Sequence, residues 1–339
     1  MRYPEEDKIY IYVPYQIKST LDKDADYFEI HKSNSDEINK NGFLSMLLLG
    51  YYDRYIAETE EKTCKILSVL NRHCINGDDS IEIANELLQE TMLPAPISKK
   101  DKNNQKLSLK TTKETSALIS NIRWNLPDNS SLSRYLCGIL SAYCEKPLYE
   151  RERIIFKNEY DSLLKACSSG TDTYFSLKWN PKKHHKVIPY SLEVGKEELF
   201  NYFLCVEKNE ATGKQEPRTY RLNGITNVIS IGTKSIIPDN LKHLLDKTIQ
   251  YGPQYVIKKE AESIIRLTGA GKNKFNRIYY GRPPYERIEI KSDGYYYHFR
   301  CSTEQLRLYF NRFDGNLFEI IAPEELKNDM LEFHRRGLS

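Results

Sequence analysis

Between Tyr174 and Ile231, apolar and polar positions alternate in five short runs: Tyr174–Trp179, Val187–Val194, Leu199–Glu207, Pro217–Leu222 and Ile225–Ile231. In the first, Phe175, Leu177 and Trp179 face one way and Tyr174, Ser176 and Lys178 the other, the period-two pattern of a half-buried strand. Turn formers separate the runs: Asn180-Pro181, Gly195, Asn209–Gly213 and Asn223-Gly224. So few strands in so short a stretch predict a small barrel, because they cannot bury two flat faces.

Upstream, Lys8–Pro14 also alternates, with Ile9, Ile11 and Val13 on one face and Lys8, Tyr10 and Tyr12 on the other. One short strand is unstable alone and needs a partner. Helices are expected from about Gln16 to Ile30 and from Gly42, where Phe43, Leu47, Tyr51 and Tyr55 recur every fourth residue, with Glu61–Cys74 prolonging the second. Another begins at the Asp79-x-x-Glu82 pair and stops before Pro94. Residues 94–110 read as a linker, Pro-Ala-Pro followed by Lys99, Lys100, Lys102, Lys106 and Lys110, either solvated or contacting phosphate. Thr112–Leu126 is helical. So is the stripe Leu132, Tyr135, Leu136, Ile139, Leu140 and Tyr143, which is core, bears no chemistry and is ended by Pro147.

Beyond the five runs the pattern predicts a strand near Tyr255, a helix over Ala261–Leu267 and a flexible basic turn at Gly269–Asn273. Strands Tyr285–Lys291 and Tyr295–Cys301 follow, joined at Asp293-Gly294, then a helix Thr303–Phe313, a strand Leu317–Ile321 and a helix from Pro323. Gly269-Ala270-Gly271-Lys272-Asn273 mimics a phosphate loop but fails it: Arg266 stands where the first glycine belongs, and no Ser or Thr follows Lys272.

The 339 residues suit two or three domains. The net charge of +3 hides a gradient. Residues 1–60 hold 7 Lys/Arg against 12 Asp/Glu, and residues 151–339 hold 31 against 24. A phosphate-bearing partner therefore belongs to the second half. The 25 tyrosines matter because aromatic faces stack on unpaired bases. No apolar run approaches the length of a membrane span, and the polar, acidic Met1–Asp7 is no secretory signal. Seven scattered cysteines without a C-x-x-C pair fit a reduced cytoplasm.

His185-Lys186-Val187-Ile188-Pro189-Tyr190, Tyr202-Phe203-Leu204 and Arg218-Thr219-Tyr220-Arg221-Leu222 resemble the WYL domain, an SH3-like barrel of bacterial regulators, with Tyr202-Phe203-Leu204 at the eponymous tripeptide and Gly224 where a basic residue is usual. Strand–helix–helix at the N-terminus resembles the ribbon-helix-helix fold, which completes its ribbon by dimerising. The final β-α-β-β-α-β-like module, around Ile321-Ala322-Pro323-Glu324-Glu325-Leu326, resembles the ferredoxin-like extension that accompanies WYL domains. The fold expected is thus multidomain α+β: a ribbon-helix-helix-like unit (1–60), a helical region (61–165), a WYL barrel (166–240) and a C-terminal module (250–335).

The resemblance implies that Lys178, His185, Lys186, Tyr190, Tyr202, Arg218 and Arg221 of the barrel line a site for nucleic acid or a nucleotide-like effector. Strand parity puts Arg218 and Arg221 on opposite faces, which favours Arg221 as ligand-facing and Arg218, near Glu216, as a rim ion pair. His184-His185 is no metal pair, since adjacent strand residues diverge, and reads as an exposed basic loop with Lys182–Lys186. Lys258, Lys259, Arg266, Lys272, Lys274, Arg277 and Arg282, interleaved with Tyr251, Tyr255, Phe275, Tyr279 and Tyr280, are either a single-strand groove or solvated surface over packed rings. Lys8, Tyr10 and Tyr12 either face nucleic acid or belong to a dimerising ribbon. No catalytic constellation, cofactor motif or metal motif appears, so a non-enzymatic binding protein is expected. The whole pattern resembles the accessory proteins of type VI-D CRISPR RNA-guided ribonucleases. That resemblance implies a homodimer binding single-stranded RNA and raising a nuclease's activity; the alternative is a dimeric DNA-binding transcriptional regulator.

Overall fold

The computed structural model describes residues 8–32, 35–73, 77–92, 104–126, 131–197 and 199–336. The chain divides into two compact units, Met1–Lys157 and Asn158–Ser339.

The first unit opens with β1 (Lys8–Pro14) and α1 (Tyr15–Tyr27), followed by α2 (Lys40–Arg72) and α3 (Asp78–Met92). Then come β2 (Asn104–Lys110), α4 (Lys113–Asn125), α5 (Leu132–Cys144) and α6 (Leu148–Ile155). The apolar face of β1, Ile9, Ile11 and Val13, is buried as its alternation requires. Its partner lies in the same chain: β2 pairs antiparallel with it from Lys8↔Lys110 to Pro14↔Asn104, and Leu107 and Leu109 are buried beside it. Two expectations are corrected here. Residues 104–110 are strand rather than linker, and β1 needs no second copy to complete its ribbon, which removes that basis for a dimer. Residues 94–103 of the expected linker lie outside the described residues.

On α2 the four-residue repeat Phe43, Leu47, Tyr51 and Tyr55 forms the buried stripe, packed edge-on against Tyr143 and Tyr135 of α5. Asn39 caps the helix through the Gly42 amide (2.9 Å). Because α2 runs unbroken to Arg72, the boundary expected near residue 60 falls inside a helix. Asp24 is buried in this core, accepting from Tyr143 Oη (2.9 Å) and Arg151 Nη1 (2.8 Å). Desolvation pushes its carboxyl up to about 6 against these favourable contacts.

The second unit starts with α7 (Lys157–Ser169) and a five-stranded antiparallel sheet: β3 (Thr173–Leu177), β4 (Asn180–Val194), β5 (Asn201–Lys208), β6 (Gln215–Arg221) and β7 (Ile225–Ser230). The order is β6-β5-β4-β3-β7, so the last strand returns beside the first. One face carries Phe175, His185, Phe203 and Tyr220 in ring contact. The other packs Ile188, Tyr202, Leu204 and Val206 against Leu241, Leu244 and Leu245 of α8 (Asp239–Tyr251), a helix that the sequence reading did not find. Trp179, expected inward, lies past the end of β3 and is 71% exposed. Lys182–Lys186, expected as a loop, is the first half of β4.

The remainder of this unit is β8 (Ser263–Leu267), α9 (Gly269–Arg277), β9 (Arg287–Lys291), β10 (Gly294–Phe299), α10 (Thr303–Phe310), β11 (Phe318–Ala322) and α11 (Glu324–Arg336). Its sheet has order β11-β8-β10-β9 with all neighbours antiparallel, and its core is the aromatic cluster around Phe275, Phe299 and Phe310. The predicted helix over Ala261–Leu267 is β8: Ser263, Ile265 and Leu267 are buried alternately, and period two outweighs helical propensity. Residues 252–262, with the strand expected near Tyr255, form no strand. The expected basic turn at Gly269–Asn273 is the first turn of α9, capped by Thr268 Oγ1 through the Gly271 amide (3.1 Å). Gly271 is required there, since a Cβ would meet Leu317 O at 2.1 Å.

Candidate nucleic-acid interface

In the first unit, period two on both strands puts Lys8, Tyr10 and Tyr12 of β1 on one outward face with Lys106, Ser108 and Lys110 of β2. None of the six is acidic. Tyr10 is held between cations, with Lys106 Nζ at 3.6 Å and Lys8 Nζ at 5.6 Å from its ring centre. Asn41 of α2 clamps the end of β2, its Nδ2 donating to Lys110 O (3.1 Å) and its Oδ1 accepting from Lys110 N (2.6 Å). On β1, Tyr12 N donates to Ser133 Oγ of α5 (3.1 Å). The ribbon is therefore an anchored face with three lysines and two tyrosines. Lys106, Ser108 and Lys110 were missed as members of it, although the alternation of Leu107 and Leu109 was a readable signal.

The candidates of the five-stranded sheet do not converge. His185 is buried, stacked on Phe175 at 5.2 Å between ring centres, with Nδ1 2.7 Å from Glu207 Oε1. It is core, not part of an exposed basic loop. Tyr202 is buried against α8, so the tripeptide residue expected in the site is packing. Tyr190 donates its hydroxyl to Asp246 of α8; burial, and then that carboxylate, push it up to about 12. Arg218 lies near Glu216 (3.2 Å) and Glu207 (3.9 Å), the rim ion pair that parity allowed. Arg221 points to the other face, its guanidinium carbon 3.5 Å from the centre of the Phe200 ring. Lys178 is half-buried and Lys186 exposed. A polar set on two faces of one sheet is not a single site.

The C-terminal module gathers more. Arg277 ends α9, and the loop to β9 exposes Tyr279 (78%), Tyr280 (51%) and Tyr285 (46%), with Arg282 exposed among them. The loop is anchored from beneath. The buried Tyr309 holds its hydroxyl 2.6 Å from Ile278 O and 3.2 Å from Phe275 O, and Arg312 Nη1 donates to Tyr280 O (2.7 Å). Gly281 turns the chain at φ 72°. Exposed aromatics on a pinned backbone cost little entropy to present to a ligand. Lys272 lies 4.1 Å over the Tyr295 ring, while Lys274 pairs with Asp314 (3.1 Å). Lys258 stands apart, on a cleft of about 290 Å³ that it shares with Glu304 at the start of α10 and Glu325 at the start of α11. Arg312 was missed by the sequence reading, and no local pattern marks it. Among the described residues no group of three or more His, Cys, Asp or Glu is placed to hold a metal, and no helix is long and apolar enough to cross a membrane.

No family model matches the chain, and no curated relative matches it. Its fold is similar to a solved structure described as "Crystal structure of a CRISPR Cas-related protein", with a TM-score of 0.71 and 20% identity over 100% of this chain and 94% of that one. Proteasome accessory factor B/C of Arthrobacter aurescens aligns at a TM-score of 0.24 and 14% identity, over 78% of this chain and 44% of its own, too loosely to carry a fold relationship. The first likeness defines a shared mixed α+β fold along the whole chain.

Proposed function

We propose that this chain is a non-enzymatic, CRISPR-associated accessory protein that binds single-stranded RNA and modulates an RNA-guided ribonuclease. The observation that carries the reading is the loop after α9, where exposed Tyr279, Tyr280 and Tyr285 stand beside Arg277 and Arg282. Stacking rings next to guanidinium groups are what a single-strand surface requires. The CRISPR association is supported by the full-length fold likeness to a CRISPR Cas-related protein. On this reading the five-stranded sheet is a WYL-type SH3-like barrel, and the β11-β8-β10-β9 module is ferredoxin-like. Burial pushes the thiols of Cys144, Cys167 and Cys301 up to about 12, which keeps them protonated and suits packing rather than nucleophilic chemistry.

A second reading, a duplex-DNA regulator, is favoured by the β1–β2 ribbon, because a two-stranded ribbon fits the major groove and this one points lysine, tyrosine and serine outward. Affinities for single-stranded RNA and for duplex DNA of matched length, measured at one salt concentration, separate the two. Tighter RNA binding supports the first. Tighter duplex binding that is lost in Tyr10→Ala with Lys106→Ala supports the second and overturns the first.

A further inference from the structure

In the first unit, α2, α4 and α5 line an open cleft of about 480 Å³ that neither nucleic-acid reading uses. Its aromatic wall is Tyr52 and Tyr135, whose hydroxyls hydrogen-bond to one another, and its apolar lining is Ile56, Ile122 and Leu126. Ile122 and Tyr52 are buried, so the apolar part lies at depth. The polar part lies on the exposed side of α4, where Asn121 and Asn125 stand one turn apart, with Asp53 of α2.

The two amides are already coupled. Asn125 Nδ2 donates to Asn121 Oδ1 (2.9 Å) and to Asn121 O (3.1 Å). That leaves Asn121 Nδ2 as a donor and Asn125 Oδ1 as an acceptor, neither hydrogen-bonded among the described residues. An adjacent donor and acceptor above a slot of apolar and aromatic walls match the edge and faces of a planar heterocycle. A single asparagine amide reads a base edge with one donor and one acceptor, the same two functions that this amide pair offers jointly, and tyrosine rings stack on base faces. Among the described residues the lining holds a carboxylate and no lysine or arginine, so they offer nothing to a phosphate. Its volume falls in the range of small-molecule sites.

We infer that this cleft binds the base of a nucleoside, recognised by Asn121 and Asn125 and stacked between the tyrosines and the apolar wall, with the sugar and any phosphate directed away from it. The inference stands without the RNA reading, and it adds a base-recognition site beside the α5 stripe, which the sequence pattern showed only as helical core.

The test titrates the full chain with adenosine, guanosine, cytidine and uridine, and with the 5′-monophosphate of the best binder, by calorimetry. At least one nucleoside binds, Asn125→Ala weakens it five- to tenfold or more, Ile56→Trp abolishes it by filling the slot, and the 5′-phosphate gives no gain. Thermal unfolding of both variants checks that each is folded. An RNA hexamer that displaces the nucleoside identifies a base within a strand as the source, and a hexamer that does not displace it identifies a free nucleoside. No nucleoside binding at 10 mM, a tenfold gain from the phosphate, or unchanged binding in folded Asn125→Ala and Ile56→Trp overturns the inference. Loss of RNA binding at the loop after α9 leaves these titrations unaffected, so the two readings fail separately.

Discussion

Lys106 Nζ sits 3.6 Å from the centre of the Tyr10 ring, diagonal to it across a ladder in which Lys106 opposes Tyr12 and Ser108 opposes Tyr10. Such diagonal neighbours are within reach of long and aromatic side chains on one face of an antiparallel pair. The contact is worth only about 0.5–1 kcal/mol at an exposed position. It nevertheless marks the event that organises the first unit, the closing of β1 by a strand from the same chain.

The closing strand should behave as core. Leu109→Ala, at a fully buried position on β2, is expected to destabilise the first unit by about 2–4 kcal/mol, read as a lower denaturant midpoint. Were 104–110 a solvated linker, the substitution would be silent.

Asp24 gives the first unit a pH dependence. A carboxyl whose folded value, about 6, lies above its unfolded value near 3.8 binds its proton more tightly when folded. Its contribution therefore favours folding below about pH 4 and is lost as the pH rises to about 6, on the order of 2–3 kcal/mol in all. Stability measured across that window should show this falling component in the wild type, and Asp24→Asn should remove it. A component that rises with pH and vanishes in Asp24→Asn would mean that Arg151 outweighs desolvation.

Gly271 and Gly269 make a matched pair on the first turn of α9. Gly271→Ala drives a Cβ into Leu317 O and should cost about 1–3 kcal/mol, while Gly269, with nothing within 4 Å, should accept alanine without loss. Chemical denaturation of the two variants checks the difference, and equal midpoints would contradict the close approach.

On the proposed RNA-binding reading, His185→Ala should lower stability and spare RNA affinity, because the imidazole is spent on Phe175, Glu207 and Tyr220 inside the sheet. A variant that stays folded yet loses RNA would return His185 to the binding surface.

The five runs over Tyr174–Ile231 could be read from sequence because period two survives wherever one face of a strand is buried. The Asp293-Gly294 hairpin was equally legible, since turn chemistry is local. What failed was non-local. Nothing near Asn104–Lys110 says that its partner is Lys8–Pro14, and a lysine-rich strand reads as solvated chain until that pairing is known. The site residues expected in the five-stranded sheet failed for a related reason: Tyr202 and His185 carry polar atoms, and only packing reveals that α8 and Phe175 claim them. That Arg218 and Arg221 face opposite ways was legible because strand parity needs no partner, only the geometry of one strand. At the loop after α9 the tyrosines were visible as composition, but their exposure and the support from Tyr309 and Arg312 were not.

The most direct measurement is the affinity of full-length protein for a single-stranded RNA, compared between wild type and the double variant Tyr279→Ala with Arg282→Ala at fixed salt. Stacking on one base is worth about 1–3 kcal/mol by alanine substitution, so affinity should fall at least tenfold while the unfolding temperature holds. Unchanged affinity in a folded double variant would contradict the assignment of the RNA surface to this loop.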